Sequence, residues 1–197
     1  MTEQTLPRVQ YHLTRRITVG ALFVALSLLL PQLFHLTGIV QAGNVFLPMH
    51  IPVLLGGFVL GPVFGLIIGA VSPVLSFFMT GMPSLERLPF MILELATYGL
   101  VSGLCYQTLK LYRIRLGTYI SLLLAMLAGR LVYALSLVIA GNLFGIKGVG
   151  AGAAIAAVVT GAVGIVIQFA IIPPIIYALR KGGLLNGFIG TGEKKPD

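Results

Sequence analysis

Charge is what this chain has least of. Asp, Glu, Lys and Arg make up 9% of its residues, against about 25% in a typical soluble domain, and an ordinary water-soluble fold is excluded on that ground. Five residues are acidic. Only one of them falls inside a hydrophobic segment, so there are no paired intramembrane carboxylates for a metal or aspartyl mechanism. Cys105 is the single cysteine; neither a disulfide framework nor a thiolate metal site can be built, and a thiol in an apolar helix reads as inert. The three histidines, His12, His35 and His50, are not at metal-ligand spacing, and no HExxH occurs. His12 and His35 read as interfacial. No bound metal and no cofactor is expected. Tryptophan is absent, so a flat aromatic ligand would have to stack on Phe or Tyr.

Apolar sequence fills the space. With 57% hydrophobic residues and a mean hydropathy of +1.02, the chain reads as an all-α, polytopic membrane protein. Its 197 residues accommodate about six spans of roughly 20 residues each. That leaves no separate soluble domain and no room for an ATPase. The expected organisation is a cytoplasmic N-terminal segment over 1–16, a six-helix membrane domain over 17–181 and a cytoplasmic tail over 182–197, disordered around Lys194 and Lys195.

The formal charge of +8, which in a soluble protein would point to nucleic acid, here reports topology. An even number of spans puts both termini on one side. Arg8, Arg15, Arg16, Lys110, Arg113, Arg115, Arg180, Lys181, Lys194 and Lys195 fall on that side, while only Arg87 and Lys147 fall on the other. Basic residues flanking spans accumulate in the cytoplasm, which predicts cytoplasmic termini. The run after Arg15 and Arg16 has no convincing small-residue cleavage site and is followed by further spans, so it reads as a retained first helix rather than a signal peptide.

The stretch Asn44 to Pro62, NVFLPMHIPVLLGGFVLGP, is the most distinctive. Pro48 and Pro52 each remove a backbone N–H, and Gly56, Gly57 and Gly61 remove side chains, so the helix here is short and smooth along one face. From Ile51 to Leu60 it would rise only about 15 Å, half of the hydrocarbon core. A short helix beneath a polar-tipped loop can wall a binding cavity or serve as plain packing. The other expected helices are Ile17 to His35, Val63 to Met79, Pro89 to about Leu109, Leu116 to Ala140 and Gly152 to Leu179, the last kinked at Pro173 and Pro174. Gly65 and Gly69, and separately Ala21 and Ala25 beside Gly20, stand at small-xxx-small spacing, the pattern that lets helices approach closely. The first pair predicts a tight hairpin between the short helix and its successor.

Glu94 and Arg130 are the only charged residues expected within spans. Each would cost about 2.5 to 3.5 kcal/mol at a helix centre on insertion scales, so they should face a cavity or one another. On an antiparallel pair of helices Glu94 lies about 8 Å and Arg130 about 16 Å below the far surface. An arginine stem can close most of that gap. Such a pair would leave guanidinium donors free for an anionic ligand, or serve as a purely structural ion pair. Tyr98, Tyr133, Asn142 and Gln168 add polar groups to the same helices, any one of which could equally be interhelical glue. His50 and Asn44 stand at the mouth of the short helix.

Two other classes are weaker. A rhomboid-like serine protease needs a GxSG nucleophile motif, and Ser72, Ser76, Ser102, Ser121 and Ser136 lack that context. A channel needs a ring of pore-lining polar residues, and none is visible.

The arginine-led first helix with Ala21, Phe23 and Ala25, the block LPMHIPVLLGGFVLGPVFGLIIG from Leu47, TGMPSL at Thr80 to Leu85 and LELATYGLVSG at Leu93 to Gly103 together resemble the substrate-binding S-component of an energy-coupling factor (ECF) vitamin transporter. The likeness covers roughly Arg15 to Lys181 and is most similar to the pantothenate-type members. It implies a six-helix membrane subunit that captures a vitamin from outside. It implies as partners a transmembrane T-component and two cytoplasmic ATPases, the former meeting the Ala21 and Ala25 face. By the same resemblance the ligand lies near the extracellular surface among the last three spans. Pantothenate, with its carboxylate, hydroxyls and amide, matches Arg130, Tyr98, Tyr133, Asn142 and Gln168 chemically. The resemblance also implies a prokaryotic plasma membrane.

Overall fold

A computed structural model describes residues 8–35, 42–143 and 150–189. The loop positions around 36–41 and 144–149, including Lys147, and the tail with Lys194 and Lys195 lie outside the described residues. Among the described residues the chain is helical, with no strand: α1 (Arg8–His35), α2 (Ala42–Phe46), α3 (His50–Leu60), α4 (Pro62–Thr80), α5 (Leu88–Gly103), α6 (Gly117–Leu143), α7 (Ala151–Thr160), α8 (Ala162–Lys181) and α9 (Asn186–Ile189). Five helical stretches are long and apolar enough to cross a membrane, and α3 is a shorter apolar helix beside them.

The short helix α3 is the centre of the bundle. Val53, Leu54 and Phe58 are fully buried, as is nearly every other residue of its 11. A helix that is apolar all round is stable only when surrounded, and α1, α4, α5 and α8 surround this one. Its ends are managed by other elements. Gly61, at φ 93°, turns the chain from α3 into α4 in a conformation that glycine adopts freely. The Gln107 side chain donates to the Phe58 and Val59 carbonyls at 2.9 and 2.8 Å. Those are carbonyls a helix C-terminus leaves open. Gln107 reaches them from a π-helical turn, Leu104–Thr108, that prolongs α5.

Glycine decides which helices touch. A methyl added to Gly65 would press on the Gly99 carbonyl, one on Gly69 on the Leu95 carbonyl, and one on Gly99 on the Gly65 carbonyl. The closest pairing is therefore α4 with α5. The Gly65 and Gly69 stripe was expected to clasp α3; Gly65 does approach Gly57 of that helix, but its nearest neighbours are on α5. Hydroxyls reinforce the bundle at α1 and α4, where Ser27 Oγ and Ser72 Oγ are 2.7 Å apart and fully buried. Interhelical hydrogen bonds in membranes average only about 0.6 kcal/mol, so backbone packing across glycine is the stronger cause.

Several boundaries differ from expectation. α1 already begins at Arg8, inside the segment expected to precede a first helix at Ile17. The final long helix is broken at Gly161 into α7 and α8, while Pro173 and Pro174 stay inside a continuous α8. The break coincides with a side chain needing space: a Cβ at Gly161 would be 2.5 Å from Arg130 Nη2. Beyond Lys181 the chain returns to the core up to residue 189 instead of trailing away. Leu185 and Phe188 are buried in the main cluster, Arg16 Nη2 donates to the Phe188 carbonyl at 2.8 Å, and Arg15 sits 4.3 Å above the Phe188 ring.

Candidate functional site

Helix α5 carries Glu94 in its second turn and Tyr98 one turn later. Four-residue spacing puts both on one face, which is the face turned toward α3 and α6. On α6, Gly129 precedes Arg130, and its lack of a side chain is required because a Cβ there would be 2.6 Å from the Tyr98 ring. The close approach of α5 to α6 at Gly129 brings the next residue into reach. Arg130 Nη1 lies 3.1 Å from Glu94 Oε1. Tyr98 Oη donates to the same oxygen at 3.2 Å.

His50, the first residue of α3, completes the cluster. Its Nε2 is 3.8 Å from Glu94 Oε2, a distance that supports attraction if the imidazole is protonated but is too long for a hydrogen bond. Its ring meets that of Tyr98 edge-on, with centroids 5.3 Å apart at 63°. One carboxylate is thus surrounded by a guanidinium, a phenol and an imidazole drawn from three helices.

The cluster holds more hydrogen-bonding atoms than it uses. His50 Nδ1 and Nε2 and Arg130 Nε and Nη2 are buried and have no hydrogen-bond partner among the described residues, and the same is true of Gln168 Nε2 on α8. A buried donor without a partner costs about 1 to 3 kcal/mol, and charged donors cost more. Helices stabilised only by their own packing have no reason to retain three such side chains. The arrangement suits an acceptor-rich guest that reaches Arg130 while Glu94 keeps the guanidinium neutralised in its absence.

The remaining candidates separate. Gln168 is buried on α8, with its amide nitrogen open. Tyr133, one turn beyond Arg130 on α6, is half-buried and packs against Phe90, Leu137, Ala140 and Ala154 in a second cluster toward the end of α6. Asn142 is exposed at the end of α6, three turns from Arg130, and is not drawn into the cluster. Asn44 lies in α2; that helix packs on α8 so closely that a Cβ at Gly164 would be 2.8 Å from the Phe46 carbonyl oxygen. Ala21 and Ala25 are exposed on α1, whereas Gly20 between them and the core faces Leu60, Phe64 and Ile68. Of the three small residues, the two alanines are therefore the ones on the free surface.

Sequence reading passed over the residues that make room. Gly129 and Gly161 admit Tyr98 and Arg130, and Leu47, at φ 50°, places its side chain beside Gly161 on the way into α3. A non-glycine residue in that region is uncommon and marks a constrained turn. Nothing in the order of residues distinguishes these glycines from the other 23. Among the described residues no group of three or more His, Cys, Asp or Glu is placed to hold a metal.

Residues 15–176 match the family model described as ECF transporter, substrate-specific component. A comparison with curated proteins gives no match, and a comparison with solved structures gives none.

Proposed function

The chain belongs to the family of ECF-transporter substrate-specific components, and we propose that it captures a small, carboxylate-bearing vitamin, pantothenate being the first candidate, for ATP-driven import. As a family member it is a membrane transport subunit rather than an enzyme. The observation that carries the ligand class is the surplus of buried donors around Glu94. A carboxylate would take the free Nε and Nη2 edge of Arg130 in a two-point bond, and hydroxyl or amide groups of the same molecule would answer His50 and Gln168. Tyr133, Asn142 and Asn44 would belong to the approach from the far end.

Small molecules released from the purified protein, identified by mass spectrometry, test this directly. Pantothenate or another small carboxylate among them, rebound with one-to-one stoichiometry in calorimetry, supports the reading. A neutral or cationic ligand would sink it.

The orientation belongs to the same proposal. Both termini are cytoplasmic on this reading, since Arg8, Arg15, Arg16, Lys110, Arg113, Arg115, Arg180 and Lys181 flank the helices on one side and, among the described residues, only Arg87 does so on the other, in a plasma membrane of prokaryotic type. Thiols engineered at positions 43, 84 and 148 should react with a membrane-impermeant reagent in intact cells. Labelling confined instead to positions 110–115 would invert the arrangement.

Energy would come from a transmembrane T-component and two ATPases, with α1 as the docking face. Ala21 and Ala25 are exposed, as are Leu22, Leu26 and Leu29 around them, so close approach of another helix meets no obstacle. Replacing Ala21 by Trp puts a large side chain into that contact. Overpacking costs about 1 to 3 kcal/mol, so assembly and uptake should fall about 10-fold or more, with ligand binding unchanged. Equal loss of binding would mean that the face is ordinary core.

A further inference from the structure

At the end of the bundle where α6 begins and α8 ends, a cleft of ≈ 340 Å³ is lined by Arg115, Thr118, Tyr119, Pro173, Pro174 and Tyr177. None of these residues belongs to the Glu94 cluster. The cleft has a direction. Arg115 stands just before α6, while Pro173 is eight residues short of the end of α8, about 12 Å deeper along that helix. Its rim is cationic and its floor is apolar. Tyr119 is 45% exposed and Tyr177 69% exposed, beside the equally exposed Leu116 and Leu123, so the cleft opens sideways onto the surface that faces the bilayer.

Among the described residues the charge at this end is one-sided. Lys110, Arg113, Arg115, Arg180 and Lys181 lie here, and the two acidic residues among those described lie elsewhere: Glu86 in the connection between α4 and α5 at the opposite end, and Glu94 against Arg130. Arg180 is partly engaged, donating to the Tyr112 carbonyl at 2.7 Å, and Arg113 sits 5.9 Å from the Tyr112 ring. Arg115 forms no ion pair among the described residues. A guanidinium at headgroup level above an apolar, proline-walled slot is complementary to a molecule with an anionic head and a hydrocarbon body. Basic pockets between membrane helices on the cytoplasmic side bind such headgroups, and tyrosine favours the same interfacial depth.

We propose that this cleft binds one anionic phospholipid, its phosphate on Arg115 with the Tyr119 and Tyr177 hydroxyls nearby and one acyl chain against Pro173 and Pro174. The occupant is a lipid rather than free phosphate because the floor has no use for a small hydrated anion. The site is separate from the Glu94 cluster and does not depend on the identity of the ligand proposed there.

Native mass spectrometry of the full-length protein tests the assignment, with dioleoyl phosphatidylglycerol and dioleoyl phosphatidylcholine added in turn. A charge-assisted contact predicts retention of one phosphatidylglycerol about 10-fold better than phosphatidylcholine. Arg115→Gln should abolish that preference, and Arg87→Gln, an exposed change at the opposite end, should keep it. Tyr177→Ala, also at an exposed position, should weaken retention without loss of folded protein. Equal retention of the two lipids, or an undiminished preference in Arg115→Gln, overturns the proposal. Displacement of the lipid by millimolar glycerol 3-phosphate would also overturn it, as a small-anion site. So would loss of T-component assembly in Arg115→Gln without any lipid preference in the parent, which would give the cleft to a protein partner.

Discussion

Arg130→Ala protein should bind pantothenate roughly 10- to 150-fold more weakly than the parent, because a hydrogen bond to a charged group contributes about 1.5 to 3 kcal/mol. The expectation rests on one guanidinium with two edges. One edge faces Glu94 at 3.1 Å, and the other, Nε and Nη2, has no partner among the described residues. Arg130→Lys keeps the charge but loses the planar fork, so its affinity should fall between those of the parent and the alanine variant. Calorimetry with pantothenate and with its primary amide separates recognition from folding. The parent should prefer the acid strongly, and Arg130→Ala should discriminate much less. Folded Arg130→Ala that binds the acid as tightly as the parent would make the Glu94 pair purely structural.

Gly99→Leu should leave little folded protein. Gly99 sits where α3, α4 and α5 converge: its carbonyl meets Gly57 and Gly65, and a methyl on its own Cα would run into the Gly65 backbone. Backbone cannot move aside as a flexible side chain can. Small-to-large changes in well-packed cores cost about 1 to 3 kcal/mol and occasionally more, and here the whole α4 and α5 pairing would have to separate. Gly99→Ala should already lower the unfolding temperature in detergent. Gly20→Ala is the control, since its Cβ would meet only side-chain atoms at 3.6 Å or beyond, an ordinary van der Waals distance. Equal behaviour of Gly20→Ala and Gly99→Ala would remove glycine packing as the cause of the fold.

The cluster around Glu94 shows how far a linear reading reaches. Glu94 and Arg130 stood out because charge inside an apolar span is rare and costly. Tyr98 followed from its four-residue spacing. Their antiparallel depths differed by about 8 Å on straight helices, and the contact forms all the same, because Gly129 lets α6 lie against the Tyr98 ring. His50 could be placed at a cavity mouth but not assigned to the carboxylate. Asn142, equally polar and on the same helix as Arg130, ends up exposed.

Composition and periodicity by themselves determined the membrane class, the existence of nearly every long helix, the shortness of α3 and the presence of a buried charge pair. These are local properties: a helix needs only its own backbone and about 20 apolar residues to be stable in lipid. Tertiary structure alone decided that Gly65 and Gly69 would meet α5 more closely than α3, that the last helix would break at Gly161, and that His50 would join Glu94. Each of these depends on the rotation and crossing of helices far apart in the chain. Glycine permits close approach on any helix, and which partner fills the space is settled only when all the helices pack at once.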